Sequence, residues 1–253
     1  TYTMAGASAT NGSVNWTTSG DGTFSDPALI NPVYIIGAND QTNGSVVLTM
    51  QVNSPGSCGP ALDQMTLTIT PLPTVDAGSD DEICASELTY TISGASLTNG
   101  TVNWTTSGDG SFTDPGATNP EYNIGANDRV NGSVTLTMTV TSTGSCAPVS
   151  DFMVLDLTPS PATPPIGGGG LTDMCVGTPG QFYTVPFNFG NTYQWSVSPA
   201  GPVTILGGGV NDNFIVLNFP TSGVFTLEVI EYSPPPASCP GPVQQLIITV
   251  YDP

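Results

Sequence analysis

Residues Val14–Gly22 read VNWTTSGDG, and the same nine residues return letter for letter at Val102–Gly110. Val14, Trp16 and Thr18 alternate with Asn15 and Thr17, the period of a strand with one face toward a core and one toward water. SGDG then supplies residues that tolerate positive φ, so the strand is expected to turn back on itself. A nonapeptide used twice is either an active-site motif or the mark of a copied structural unit. Trp16, Trp104 and, further on, Trp195 have two readings. A large indole on a central strand fills a small sandwich core, and an exposed one makes a platform for stacking sugars. The strand alternation favours the core.

The identity does not stop at the nonapeptide. From Thr1 to about Pro73 the chain matches itself at an offset of 88 positions without a gap. TYTMAGASATNGSVNWTTSGDGTFSDP lies over TYTISGASLTNGTVNWTTSGDGSFTDP, and GANDQTNGSVVLTM over GANDRVNGSVTLTM. About two thirds of the aligned positions are identical, which marks a tandem duplication. Thr74–Leu88, TVDAGSDDEICASEL, has no counterpart in the first copy, so the first unit is read as lacking its opening segment. A divergent third unit follows: Trp195 stands 20 residues after Cys175, as Trp104 stands 20 residues after Cys84. Pro-rich joints at Thr70–Thr74 and Thr158–Pro165 are expected to act as semi-rigid spacers. The expected modules are 1–72, lacking its first strand, 73–160, complete, and 161–253, divergent.

The chain of 253 residues carries 20 acidic residues, one arginine (Arg129), no lysine and no histidine, for a net charge of −19. Such a surface repels nucleic-acid phosphates and anionic membranes, and it attracts divalent cations. Runs of Val, Thr, Leu and Ile bounded by Gly, Pro and Asn read as strands and turns. No helical period stands out. No apolar run is long enough to span a bilayer, and no signal-peptide pattern is present.

Five cysteines leave one over. The repeat suggests a staple inside each module: Cys84 with Cys146, and Cys175 with Cys239. Cys58 is the copy of Cys146, so its partner is expected five residues ahead of Thr1, in the segment the first unit lacks. A free buried thiol is the alternative. Paired cysteines at repeating positions imply an oxidising, extracellular compartment. The lack of CxxC pairs and of histidine argues against zinc.

Asp21, Asp26 and Asp40, with their copies Asp109, Asp114 and Asp128, are the best candidates for holding calcium, because hard oxygen ligands from adjacent loops suit it. The competing reading takes Asp in SGDG, SDP and GAND as turn formers. Sequons at Asn11, Asn15, Asn43, Asn99, Asn103 and Asn131 overlap Asn-Gly turns for the most part. They are equally the chemistry of turns and of glycan acceptors. Catalysis fares badly: there is no histidine or lysine to activate a Ser or Cys nucleophile. A carboxylate pair for glycoside hydrolysis would have to be drawn from duplicated turn residues. The chain is read as a non-enzyme.

VDAGSDDEIC, GASLTNGTVNWTTSGDGSFTDP, TNPEYNIGAND and GSVTLTMTV resemble the tandem Ig-like repeats of very large cell-surface and gliding-motility adhesins of Bacteroidota. YQWSVSPAGPVTILGGG resembles the PKD-like domains of the same proteins. The resemblance covers essentially the whole chain and is more specific in the first two units. It implies an all-β chain of three tandem Ig-like/PKD-like β-sandwich domains in an elongated array. It also implies export by type 9 secretion to the cell surface, and it transfers no catalytic residue. Three functions follow as expectations. The first is a repeat segment giving reach and stiffness to an extracellular adhesin. The second is a subunit of a filament assembled by strand donation. The third is a set of carbohydrate-binding modules. The partners expected are neighbouring repeats, copies of the chain itself or surface glycans, with no nucleic acid and no direct membrane insertion.

Overall fold

The computed structural model describes residues 1–144 and 146–252. The fold is almost entirely β. In the first stretch the elements are β1 (Tyr2–Thr3), β2 (Ser13–Thr18), β3 (Thr23–Phe24), β4 (Val33–Ile35), α1 (Ala38–Asn43), β5 (Ser45–Asn53) and β6 (Ala61–Thr68). They form two sheets, β1-β4-β3 and β2-β5-β6. Antiparallel pairing puts Trp16 opposite Met50 and Val14 opposite Val52. The alternation in β5 buries Val46, Leu48 and Met50, and these pack with Met4, Trp16 and Tyr34. Each fully buried apolar side chain of this kind contributes about 1.5–3 kcal/mol.

The second stretch repeats this plan and adds to it. Its elements are β7 (Thr74–Asp76), β8 (Asp81–Cys84), β9 (Thr89–Thr91), β10 (Ser96–Thr98), β11 (Gly100–Thr106), β12 (Ser111–Phe112), β13 (Glu121–Asn123), α2 (Ala126–Asn131), β14 (Ser133–Ser142) and β15 (Val149–Thr158). One sheet is β12-β13-β9 and the other β11-β14-β15-β8, while β7 pairs with β10. The main sheet thus has four strands where the first stretch has three. The added strand, β8, runs parallel to β15, with Leu155 opposite Asp81 and Thr158 opposite Cys84.

The third stretch holds β16 (Gly167–Gly168), β17 (Asp173–Cys175), β18 (Gln181–Thr184), β19 (Thr192–Ser198), β20 (Thr204–Gly208), β21 (Phe214–Asn218), β22 (Gly223–Tyr232) and β23 (Gln244–Tyr251). Its sheets are β16-β18-β21-β20 and β17-β23-β22-β19. Tyr183, Tyr193, Trp195, Leu217, Phe219, Leu227 and Val229 are buried together. Trp16, Trp104 and Trp195 are all buried.

Every sheet draws its strands from one of the ranges 2–68, 74–158 or 167–251. By compactness the chain divides differently, into two units. One is Thr1–Val75 with Leu97–Asn103 and Thr139–Ser150; the other is Asp76–Ser96, Trp104–Met138 and Asp151–Pro253.

Two expectations are corrected. The sequence has no helical period, yet ANDQTN and ANDRVN each form a six-residue helix. Each ends on a glycine in the left-handed region, Gly44 at φ 70° and Gly132 at φ 79°, the usual helix stop. These helices are too short to show a period; capping defines them instead.

The disulfide pairing also differs. Cys84 is bonded to Cys239, with Cα atoms 5.4 Å apart, and Cys58, Cys146 and Cys175 are free. Neither Cys84–Cys146 nor Cys175–Cys239 forms. The reason is the parallel sense of the opening strands. Cys84 lies beside Thr158, at the far end of β15, whereas Cys146 lies just before the strand begins at Val149. Ten residues of strand span about 33 Å, far beyond the ~7 Å limit for a bridge. Cys175 sits beside Tyr251 in the same way, while Cys239 precedes β23 at Gln244. A cysteine five residues ahead of Thr1 would be kept from Cys58 by the same geometry.

Candidate functional site

SGDG and GAND are 19 residues apart in sequence and touch in space. The N-cap of α1 is Gly37, which has no side chain to cap with. Asp21, from the turn after β2, takes that role: its carboxylate accepts the N–H of Asn39 at 3.2 and 3.1 Å and that of Asp40 at 3.3 Å. Asp40 completes the exchange. Its Oδ2 accepts the Gly37 N–H at 3.0 Å and the Tyr34 hydroxyl at 2.6 Å, and its Oδ1 accepts the Asp21 N–H at 3.3 Å. The result is a capping box split between two loops.

The glycines around it are there for space. A Cβ on Gly20 would collide with the Asp40 carboxylate, one on Gly22 with the Tyr34 hydroxyl, and one on Gly37 with the Asp21 carboxylate. Neither Gly20 nor Gly22 has positive φ. The reading of SGDG as a positive-φ turn is therefore corrected: close approach is what requires glycine here.

The second copy repeats the latch. Asp128 Oδ2 accepts the Tyr122 hydroxyl at 2.7 Å and the Gly125 N–H at 2.9 Å. Asp109 accepts from Asn127 at 3.1 and 3.2 Å and from Asp128 at 3.3 Å. Asp40 and Asp128 are fully buried, and Tyr34 and Tyr122 with them.

Burial alone would push the Asp40 carboxyl up. The Tyr34 hydroxyl and the N–H groups of Gly37, Asp21 and Gly22 outweigh it, and the carboxyl ends below its ordinary range. Burial, and then the bond to Asp40, push Tyr34 up. Tyr122 is pushed up to about 12, by burial first.

Of the six aspartates singled out in the sequence, the structure brings Asp21 to Asp40 and Asp109 to Asp128. Asp26 and Asp114 serve turns of their own, accepting from Ala28 N–H and Gly116 N–H at 2.9 Å each. The latch oxygens face N–H and O–H donors, so a cation would have to displace these before binding. Among the described residues no group of three or more His, Cys, Asp or Glu is placed to hold a metal. No helix among them is long and apolar enough to cross a membrane.

The third stretch has a different polar centre, which sequence reasoning missed. Glu231 is fully buried, and its Oε1 accepts the side-chain amides of Asn188 and Asn191 at 2.6 and 2.7 Å. Its Oε2 has no partner. The signal was present in the alternation of β22: Phe225, Leu227 and Val229 point inward, and Glu231 follows in phase.

No protein-family model matches the chain, and no curated protein matches it. Solved structures do. A three-repeat segment of mouse cadherin-23 is similar over 99% of this chain and 90% of its own, at 14% identity and TM-score 0.36. A three-domain immunoglobulin segment of titin is similar over 97% of this chain and 89% of its own, at 10% identity and TM-score 0.42. The first five immunoglobulin domains of Sidekick-1 are similar over 96% of this chain, which spans 53% of that structure, at 15% identity and TM-score 0.39.

Proposed function

We propose that the chain is a structural repeat segment of a long extracellular surface adhesin, giving reach and stiffness rather than chemistry. The observation that carries this reading is the duplicated latch. In both copies the acidic motif is spent on holding its own turn and helix, so what was duplicated is a scaffold. The Cys84–Cys239 bond supports it as well, tying the opening strand of one repeat to the closing loop of the next. A chain without histidine or lysine has no activated nucleophile to offer. The resemblance to gliding-type adhesins adds the cell surface and type 9 secretion to the proposal. The buried tryptophans weigh against a sugar-stacking platform. Electron microscopy of the intact protein tests the reading: an extended particle is expected, and a globular one would overturn it.

A further inference from the structure

The first repeat is open where the second is covered. In the second repeat, Thr74–Cys84 covers the core and extends the main sheet. Ala77 is fully buried and donates its N–H to Asp151 at 2.8 Å, Thr74 bonds Thr98, and β8 lines the free edge of β15. The counterparts of Asp151 and Thr98 in the first repeat are Asp63 and Thr10. Asp63 lines two adjoining grooves there, each of about 260 Å³. One runs past Met4, Trp16, Met50 and Met65, the other past Thr10, Val52 and Leu62. The core beneath is correspondingly exposed. Met153, Leu155 and Val140 are fully buried, while their copies Met65, Leu67 and Val52 are only partly so. Among the described residues the outer edge of β6 carries no strand.

The cysteines give a second, independent observation. At the 88-residue offset, the register that sets Cys84 beside Thr158 sets a corresponding cysteine beside Thr70. The Cys146 thiol already lies there, 3.8 Å from the Thr70 carbonyl oxygen. Neighbouring strands lie about 4.8 Å apart, so the two cysteines would stand within bridging reach. Cys239, the closing cysteine of the third stretch, meets Cys84 in the same relation.

We propose that the groove and the β6 edge of the first repeat take up an extended segment of the Thr74–Cys84 type, whose cysteine bonds Cys146. The occupant pairs parallel to Leu67–Thr70, gives a backbone N–H to Asp63 and buries a small residue over Met65. In the second repeat this segment runs directly into Thr89, the counterpart of Thr1, so a segment fused ahead of Thr1 has the length and direction to reach the groove. The pairing rule then reads from the opening cysteine of one repeat to the closing cysteine of the next. Bond formation takes two electrons and two protons from the two thiols, and a disulfide oxidant accepts them, becoming two thiols. The proposal rests on register and burial and is independent of the adhesin reading.

The test uses the whole chain, a synthetic peptide TVDAGSDDEICASEL and oxidised glutathione as oxidant, with peptic mapping of the products. The peptide is expected to couple to Cys146 about tenfold faster than to Cys58 or Cys175, although these two are the exposed thiols. Coupling that follows exposure would overturn the proposal. A fluorescent peptide with its cysteine replaced by serine should bind the chain, and about tenfold more weakly to the Asp63→Asn variant, whose exposed position spares the fold. Equal binding by the variant, or equal binding of a scrambled peptide, would also overturn it. Fused directly ahead of Thr1, the same segment should remove Cys146 from the alkylatable thiols; a Cys146 that still alkylates counts against the register.

Discussion

The Asp21 carboxylate stands where the side chain of Gly37 would be, and so caps a helix to which it does not belong. It holds the Asn39 N–H at 3.2 and 3.1 Å, and Asp109 holds that of Asn127 at 3.1 and 3.2 Å in the second copy. A cap lent by another loop makes turn and helix a single unit, since neither carries its full set of partners alone. Gly37→Ala puts a methyl into the Asp21 carboxylate. The variant loses the cap and strains the turn, at a cost of about 1–3 kcal/mol. Urea titration should show this loss, while Gly59→Ala, with open space around it, should stay within about 0.5 kcal/mol of the parent.

Acid should release the first latch. The folded Asp40 carboxyl lies below its ordinary value, so its stabilising contribution is complete above the unfolded pKa of about 3.9. That contribution is lost as pH falls through the folded value. Asp40→Asn should therefore weaken the first repeat at neutral pH by about 1.5–3 kcal/mol, the worth of hydrogen bonds to a charged acceptor. The gap between variant and parent should narrow below about pH 4. A gap of constant size from pH 7 to pH 3 would show that the carboxylate charge is not what holds the turn.

At the alkaline end the sign reverses. The folded Tyr122 hydroxyl titrates at about 12, against 10.0 for an unperturbed tyrosine. The protonated phenol belongs to the fold, so its contribution is complete below pH 10 and is lost as pH rises toward 12. Ultraviolet titration of the native chain should show a late-ionising phenol that disappears in Tyr122→Phe. The same substitution leaves Asp128 one donor short and should cost about 1–2 kcal/mol at neutral pH.

These residues show how far the sequence could be read. VNWTTSGDG announced a strand with Trp16 inside, because alternation is a local property with a local cause. The partnership of Asp21 with Asp40 was hidden, because it depends on two loops folding back to meet. Gly20 and Gly22 were visible as glycines, but their reason lies in the Asp40 and Tyr34 side chains that press on them. The cysteines misled for a related reason. Their spacing repeats faithfully, yet spacing is silent on strand direction, and the parallel sense of β8 and β17 sets Cys84 beside Thr158 and Cys175 beside Tyr251, at the far ends of β15 and β23. Glu231 lay in plain phase with the apolar face of β22, and only its charge disguised it.

Thiol chemistry separates the two pairing schemes. Native chain treated with an alkylating reagent should label Cys58 and Cys175 first, Cys146 more slowly, and Cys84 and Cys239 not at all. Reduction followed by a second label should then mark Cys84 and Cys239 together. Labelling of Cys84 before reduction, or recovery of a Cys84–Cys146 peptide, would restore the staple within one module.

Glu231 offers the sharpest contrast between two substitutions at one atom. Its Oε1 satisfies two amide donors, and its buried Oε2 satisfies none. A carboxylate held this way carries the desolvation cost of a charge with neutral partners on one side only. Glu231→Gln keeps an oxygen for Asn188 and Asn191 and removes the charge, so it should be neutral or stabilising. Glu231→Ala takes the shared acceptor from Asn188 and Asn191 and opens a void, a loss of about 2–4 kcal/mol. Thermal melts of the two variants should fall on opposite sides of this divide. If Glu231→Gln destabilises as much as Glu231→Ala, the charge itself is needed, and a cationic partner for Oε2 has to be sought.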